Sequence, residues 1–356
     1  LKILHTADLH LNSANPERWK ALEELVAVAA DQKVSLFLIA GDLFDRNTEA
    51  EQLRGDLRGL LGGSELKTVI LPGNHDHKAY RSGLYFGENV YLINNWKEPL
   101  NFDQVSIWGL PFEKIAGEKL IGRLREMGNL MDRNQYNLLL FHGELLDAYF
   151  SRHDMGEEGE ERYMPINLAV FDALPVQYVL GGHFHSNFRV WDLHNGGFFI
   201  YPGSPVSVTR RETGRRLANM FTVGERPEEV ELNTYHFEEL KIILDPFDRN
   251  DPLSVLERKL KQAHPLAKIL LTVEGLFDGS KLNLTESALA SGIRKIAGDR
   301  LAGDPLETFA DVQQVIEDQL FIDFINKLKN TESDGEDIDL IRELVIRAFR
   351  TVKSCS

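Results

Sequence analysis

Cysteine is almost absent from this chain. The 356 residues hold one, Cys355, so no disulfide can close within the chain, and any metal site must use oxygen and nitrogen donors. Long apolar runs are missing as well. No segment reaches the roughly 20 residues that span a bilayer, and Leu1 to Leu4 open directly into an apolar strand pattern without the basic stretch and apolar run of a secretory leader. Membrane insertion and secretion are therefore not expected, and the cytoplasm is the expected compartment. Positive charge is also scarce: 40 Lys and Arg stand against 55 Asp and Glu, a formal net charge of −15. That balance argues against a protein that grips nucleic acid by bulk electrostatics, because phosphate neutralisation dominates such binding. Any nucleic-acid contact must be local.

At 43% hydrophobic content the chain can bury a sizeable core and is long enough for two or three domains. Short apolar and β-branched runs read as strands at Lys2–Thr6, Val34–Ala40, Thr68–Leu71, Val90–Ile93, Val105–Gly109, Asn137–Phe141 and Tyr178–Gly181. Most are continuous apolar runs, which predicts burial on both faces. Helical patterns alternate with them. The first has Asn15 at the N-cap position, Pro16 at N1, and Ala21, Leu22, Leu25, Val26 and Ala29 on one face. This order predicts an α/β layered domain. From Gly197 the strand patterns Gly197–Tyr201, Leu217–Val223 and Glu229–Phe237 follow one another and predict a meander closing a second sheet, with the domain ending near residue 240.

The turn-rich segment Asp245–Pro252 precedes a smaller pattern of strand, helix, strand and helix up to about residue 315. Two helical stretches follow, Val315–Leu328 and Ile338–Val352, separated by the acidic segment Asn330–Glu336. The division expected is thus 1–240, 241–315 and 316–356. The last helix carries Leu340, Ile341, Leu344, Val345, Ala348, Phe349 and Val352 on one stripe, which packs either on its own domain or on a partner.

The chemistry is concentrated in five clusters: Asp8 with His10, Asp42, Asn74 with His75, His142, and His183 with His185. Each falls at or just after the end of an expected strand, where loops at the carboxyl edge of a sheet present side chains to a crevice. A lone Asp there is more often a turn former and a lone His more often structural. All clusters together, in GDLFDR, GNHD and GGHFH, point to a metal site. Asp8 and His10, one residue apart, suit a single ion. The two oxygens of Asp42 suit a bridge between ions about 3.5–4 Å apart. Asn74, His142 and His183 would fill the shell of the second ion, and His185 that of the first. Imidazole and oxygen donors favour manganese, iron or zinc over copper, and the histidines disfavour magnesium. His5, His194, His236 and His264 read as structural or surface residues, while His77 and His153 stay open. The run Thr209–Arg216, with four arginines, is either a solvated loop or a phosphate contact.

These motifs, KILHTADLHL, GDLFDR, LPGNHD, FHGE, GGHFH and YPGSP, resemble the calcineurin-like metallophosphoesterases, and among them the Mre11 and SbcD nuclease subunits. The resemblance covers residues 1 to about 240; the later small domain is similar to that group's capping domain in pattern only. It implies two packed β-sheets flanked by helices, a small α/β cap with C-terminal helices, two manganese ions, and exonuclease and endonuclease activity on DNA in repair. It also implies an ATPase partner of the Rad50 or SbcC kind, and members of the group are commonly dimers. Carried over, Asp8, His10, Asp42 and His185 hold one ion, and Asp42, Asn74, His142 and His183 the other. His75 then stands over the reacting phosphate, and Asp45 resembles the aspartate that orients it, at a position where many relatives carry a second histidine. Arg46, Arg210 and Arg211 are candidate phosphate contacts.

The mechanism this implies is in-line attack by a water activated between the ions, with His75 assisting departure of the sugar oxygen. Two other readings stand beside it: a phosphodiesterase or phosphatase for a small nucleotide or phosphoprotein, and a DNA-end or ATPase-binding scaffold with weak catalysis. The acidic stretch Gly156–Arg162, between His142 and His183, reads as a loop near the crevice.

Overall fold

The structure is a computed structural model that describes residues 1–328, apart from 64, 83–84, 148–161 and 249, together with 341, 344–346 and 348. The chain divides into two compact units, Leu1–Phe237 and Glu238–Ser356.

In the first unit the strands are β1 (Lys2–Thr6), β2 (Leu36–Ala40), β3 (Lys67–Leu71), β4 (Val90–Leu92), β5 (Leu100–Phe102), β6 (Val105–Leu110), β7 (Tyr136–His142), β8 (Tyr178–Gly182), β9 (Arg189–Asp192), β10 (Phe198–Tyr201), β11 (Leu217–Thr222) and β12 (Glu228–Glu231). Helices α1 (Pro16–Asp31), α2 (Glu49–Leu61), α3 (Gly117–Leu130) and the single turn α4 (Ala169–Asp172) lie between them. Two six-stranded sheets result, with orders β12-β11-β1-β2-β3-β4 and β5-β6-β7-β8-β10-β9. Strands β1 to β4 are mutually parallel, as are β6, β7 and β8.

The alternation of side chains explains the layering. In β2, Leu36, Leu38 and Ala40 face one apolar cluster, while Phe37 and Ile39 face another. In β7, Leu138 and Leu140 join the cluster of Leu36 and Leu38, whereas Leu139 and Phe141 pack with Leu120 and Leu124 of α3. One cluster therefore fills the space between the sheets, and the other two seat α1 and α2 on one outer face and α3 on the other. This is the expected four-layer α/β architecture.

The seven strands expected before Gly197 are all present, Glu229–Phe237 is split between β12 and the start of a later strand at His236, and three further details differ. Strand β2 begins at Leu36 because the Val34 amide is already committed to the Ala29 carbonyl at the end of α1. Asn15 occupies the N-cap position without capping: its side-chain amide donates to Asn12 Oδ1, which also accepts from the Ala14 and Asn15 amides. The expected meander does not form. Only β10 joins the second sheet, parallel to β8, whereas β11 crosses to the first sheet and pairs antiparallel with β1 and β12. Sequence alternation reports that a strand is half-buried; it carries nothing about which of two sheets receives it.

The second unit begins within β13 (His236–Leu244) and continues with α5 (Pro252–Gln262), β14 (Ala267–Phe277), α6 (Gly279–Leu282), α7 (Glu286–Ala297), β15 (Leu306–Asp311), α8 (Gln313–Ile316) and α9 (Gln319–Leu328). Its sheet has the order β13-β14-β15. After the Asp245–Pro252 turn a helix comes first, so the order to residue 315 is helix, strand, helix, strand rather than the reverse. The cause is local: Asp251 accepts the Leu253 and Ser254 amides and Pro252 sits at N1, a strong helix start. The helix expected at Val315–Leu328 is broken into α8 and α9. Of the last expected helix, residues 344–346 show Ile346 packed with Leu276, Val312, Val315 and Phe321, while Leu344 is 58% exposed. Ile346, absent from the expected stripe, is the buried residue, so part of this segment packs on its own unit. Asn330–Glu336 and most of that helix lie outside the described residues, as does Cys355. No helix of the described residues is long and apolar enough to cross a membrane.

His5 is fully buried, with Nδ1 3.3 Å from Asn219 Nδ2 of β11. Burial lowers its pKa to about 3. The unfolded chain takes up a proton below the ordinary value near 6.5 that the folded chain refuses, so His5 leaves stability intact above pH 6.5 and erodes it as pH falls from there toward 3. The expected slope is about 1.4 kcal/mol per pH unit. Urea denaturation in chelator between pH 7 and pH 5 should show this slope reduced by that amount in His5→Gln; an unchanged slope would contradict a neutral buried imidazole.

Candidate metal centre

The loops that follow β1 and β2 are zipped together: the Asp8 amide donates to the Gly41 carbonyl, His10 to Asp42, Leu11 to Leu43, and Asp45 back to Leu11. Asp8, His10, Asp42 and His183 all have positive φ, at 58°, 47°, 49° and 90°. Non-glycine residues there cost on the order of 1 kcal/mol or more each, and such strain concentrates where geometry serves a site. Glycines make the room. A Cβ on Gly73 would lie 2.1 Å from Asp42 Oδ1, and one on Gly41, itself at φ 98°, would lie 2.0 Å from His142 Nδ1.

The five clusters converge. Asp8, His10 and His185 form one group of potential ligands, and Asp8, Asp42 and His142 another, each with ligand atoms within 4.8 Å of one another. The hydrogen bonds decide what these groups lack. His142 Nδ1 donates to the Ala40 carbonyl, leaving Nε2 turned to Asn74 Oδ1 at 2.9 Å and Asp42 Oδ2 at 3.2 Å. His185 directs Nδ1 to Glu212 Oε1 at 3.3 Å, leaving Nε2 3.3 Å from His10 Nε2 and 3.7 Å from Asp8 Oδ1. Both gather acceptor atoms around carboxylates that are fully buried, an arrangement that divalent cations satisfy. His183 is tied in by its main chain, whose amide donates to both Asp8 oxygens at 3.1 and 2.9 Å, and by ring contact with His142 at 5.4 Å. The donor set thus fits two hard or borderline divalent ions, with Asp42 beside both groups.

Protonation in the absence of metal follows the same logic. Burial pushes Asp42 up, but the neighbouring imidazoles of His142, His10 and His75 outweigh it and hold the carboxyl well below the usual range. Burial raises Asp8 to about 6 against the opposing pull of His185 and His142. His142 climbs to about 9 because Asp42 overcomes its desolvation.

His75 lies at the edge of this group. Its amide donates to Asp42 Oδ1 at 2.9 Å and its ring meets His10 edge-on at 4.7 Å. Nδ1 sits 2.9 Å from the Asp45 main-chain carbonyl, so that carbonyl, not the carboxylate alone, orients the ring. The Asp45 carboxylate is engaged by Arg18 at 3.0 Å and stands 3.7 Å from His10 Nδ1. Arg46 has a side chain 79% exposed, with Nε 3.9 Å from Asp45 Oδ2.

The arginine run proves half structural. Arg210 and Arg211 are exposed, beside the cleft-lining Val208 and Thr209. Glu212 and Arg216 are buried. Glu212 accepts from the Val208 and Thr209 amides and from two hydroxyls; burial raises its pKa, but His185 first, then Arg216 and the Val208 amide, outweigh that and bring it to about 2. Arg216 donates to the Ser204, Ser186 and His185 carbonyls. The pair fixes His185 from behind, as carboxylates commonly do for metal-binding histidines. Sequence reasoning also missed Arg18, which donates to the His10 carbonyl at 2.6 Å, and Asp76, which bonds the Gly73 and Phe44 amides and Tyr80 Oη and so clamps the two ligand loops together. His77 lines the same cleft, with Nδ1 on the Asn74 carbonyl at 2.9 Å. His153 and residues 156–161 lie outside the described residues.

Metal analysis separates these roles. His75→Ala should retain both Mn²⁺ equivalents while losing turnover, and Asp42→Ala should lose metal; equal metal loss in both would refute the division. Glu212→Gln should weaken Mn²⁺ binding about 10- to 100-fold in calorimetry, and an unchanged affinity would remove Glu212 from the site's support.

Comparison with known proteins agrees with the donor chemistry. The family profile described as calcineurin-like phosphoesterase matches residues 1–187. The DNA double-strand break repair protein Mre11 of Methanosarcina acetivorans is 25% identical, over 99% of this chain and 58% of that protein, so the chain spans a little over half the length of this relative. The uncharacterized metallophosphoesterase YhaO of Bacillus subtilis is 24% identical over 60% of this chain and 55% of its own. Among solved structures, TT1561 of Thermus thermophilus matches 65% of this chain and 98% of its own at 16% identity and a TM-score of 0.45. With the profile match extending over more than half of its length, the chain belongs to the calcineurin-like phosphoesterase family.

Proposed function

We propose that this phosphoesterase is a two-metal DNA nuclease of the Mre11 type, cleaving phosphodiester bonds at DNA ends together with a Rad50- or SbcC-like ATPase and as a homodimer. One observation carries the step from phosphoesterase to nuclease: similarity to a DNA double-strand break repair protein runs along 99% of the chain, through the second unit as well as the first.

In this reading Asp8, His10, Asp42 and His185 hold one ion, and Asp42, Asn74, His142 and His183 the other. When bound, two divalent ions, Mn²⁺ first and Fe or Zn as alternatives, polarise the phosphoryl group and bring the pKa of an attacking water toward neutrality. The protein's own residues do the rest. Arg18 and Asp45 brace His10, while Glu212 braces His185. With its Nδ1 proton committed to the Asp45 carbonyl, His75 uses Nε2 to hold the proton that the departing sugar oxygen takes. Arg46, Arg210 and Arg211, all outward-facing, are placed to meet phosphates beyond the scissile one. A second reading, hydrolysis of a small phosphodiester, is favoured by the size of the cleft beside His75, about 670 Å³, which matches small-molecule sites.

The assay that decides is Mn²⁺-dependent cleavage of linear duplex, hairpin and single-stranded DNA beside a generic aryl phosphodiester, with and without the ATPase, in wild type and His75→Ala. DNA cleavage lost in His75→Ala supports the proposal. Turnover of the aryl ester with none of any DNA would transfer the assignment to the small-substrate reading.

A further inference from the structure

Beside the metal-binding residues the cleft has an aromatic wall that the proposed chemistry leaves unused. His77, Phe112 and Tyr163 line it, and they come from three separate segments: after β3, after β6, and between β7 and β8. The Phe112 ring lies 5.2 Å from His77 and 5.8 Å from Tyr163, and Tyr163 continues to the ring of His183 at 5.0 Å. The wall therefore runs unbroken up to a proposed metal ligand. Phe112 is buried between the other two, which are half-buried and line the cleft. Both are held in place: His77 by the Asn74 carbonyl, and Tyr163 by its amide, which donates to Glu144 Oε1 at 2.9 Å. Lys78 and Lys114 stand exposed on the same cleft, cations gathered locally on a chain of net charge −15.

We propose that His77 and Tyr163 form a stacking subsite for an unpaired nucleobase next to the scissile phosphodiester, with Lys78 and Lys114 taking the flanking phosphates. The inference rests on the nuclease reading and deepens it by naming the substrate form. Aromatic faces bind any base through its π surface, without sequence preference, but only after that base has left its own stack. Frayed ends and single strands then meet the site directly, whereas a blunt duplex must first unpair. A small nucleotide offers the same base and phosphate, so the test includes one.

The experiment measures kcat/KM with Mn²⁺ on a single-stranded oligonucleotide, on the same strand with an abasic nucleotide beside the scissile bond, and on a dinucleotide. In wild type the abasic substitution should lower kcat/KM about tenfold, in the range of one base–aromatic stack. Tyr163→Ala and His77→Ala should lower cleavage of the normal strand by a similar factor, leave the abasic strand unaffected and keep their bound Mn²⁺. Equal wild-type rates on normal and abasic strands would overturn the subsite while the nuclease reading stands, and this arm requires no altered protein. Turnover of the dinucleotide with no cleavage of any oligonucleotide would instead overturn the nuclease reading and, with it, the substrate form named here.

Discussion

Two carboxylates with no solvent exposure, Asp8 and Asp42, share a seam with four imidazoles, of which His142 and His185 each have one nitrogen already committed elsewhere. Buried charge of this kind is costly unless a countercharge arrives, and the surrounding architecture is arranged around that requirement. Parallel strands from both sheets end at the same level. Their loops are laced by main-chain bonds, with left-handed backbone at Asp8, His10, Asp42 and His183. The strain persists because bonds on every side leave the loops no alternative. Asp76 joins the loop of Asp42 to that of Asn74, and Arg18 joins the loop of His10 to Asp45.

The overall acidity of the chain and its phosphoester chemistry are compatible because positive charge is supplied locally. The arginine-rich segment illustrates the economy of this. Half of it faces inward, where Arg216 satisfies main-chain carbonyls around His185 and Glu212 holds the ring itself. Arg210 and Arg211 are exposed, and Lys78 and Lys114 are exposed cations lining the cleft itself.

The residues gathered at the candidate metal centre were legible in the sequence because each lies at or within a few residues of the end of an apolar strand, so linear position and spatial position coincide. The braces were not. Arg18 sits on a helix face that pattern alone reads as apolar core, and Glu212 is hidden within a basic run; the partners of both lie far away in the chain. The same limit explains the misplaced β11, whose alternation is satisfied equally well by either sheet, and the helix-first order after Asp245–Pro252, where a capping Asp251 and Pro252 outweighed an expected strand. Asp45 was legible as a neighbour of His75 but not in its manner of acting, since a main-chain carbonyl leaves no trace in residue type.

Asp8 accepts both of its hydrogen bonds from the His183 main chain, joining the loop after β1 in one sheet to the loop after β8 in the other. It is thus a rivet of the sandwich as well as a member of the candidate metal centre. A variant that loses Asp8 removes a tie between the layers and a candidate donor in one stroke, so inactivity there is uninformative about chemistry. His75 meets the group through its amide on Asp42 and its ring on His10, so truncating its side chain leaves this tie between the sheets untouched.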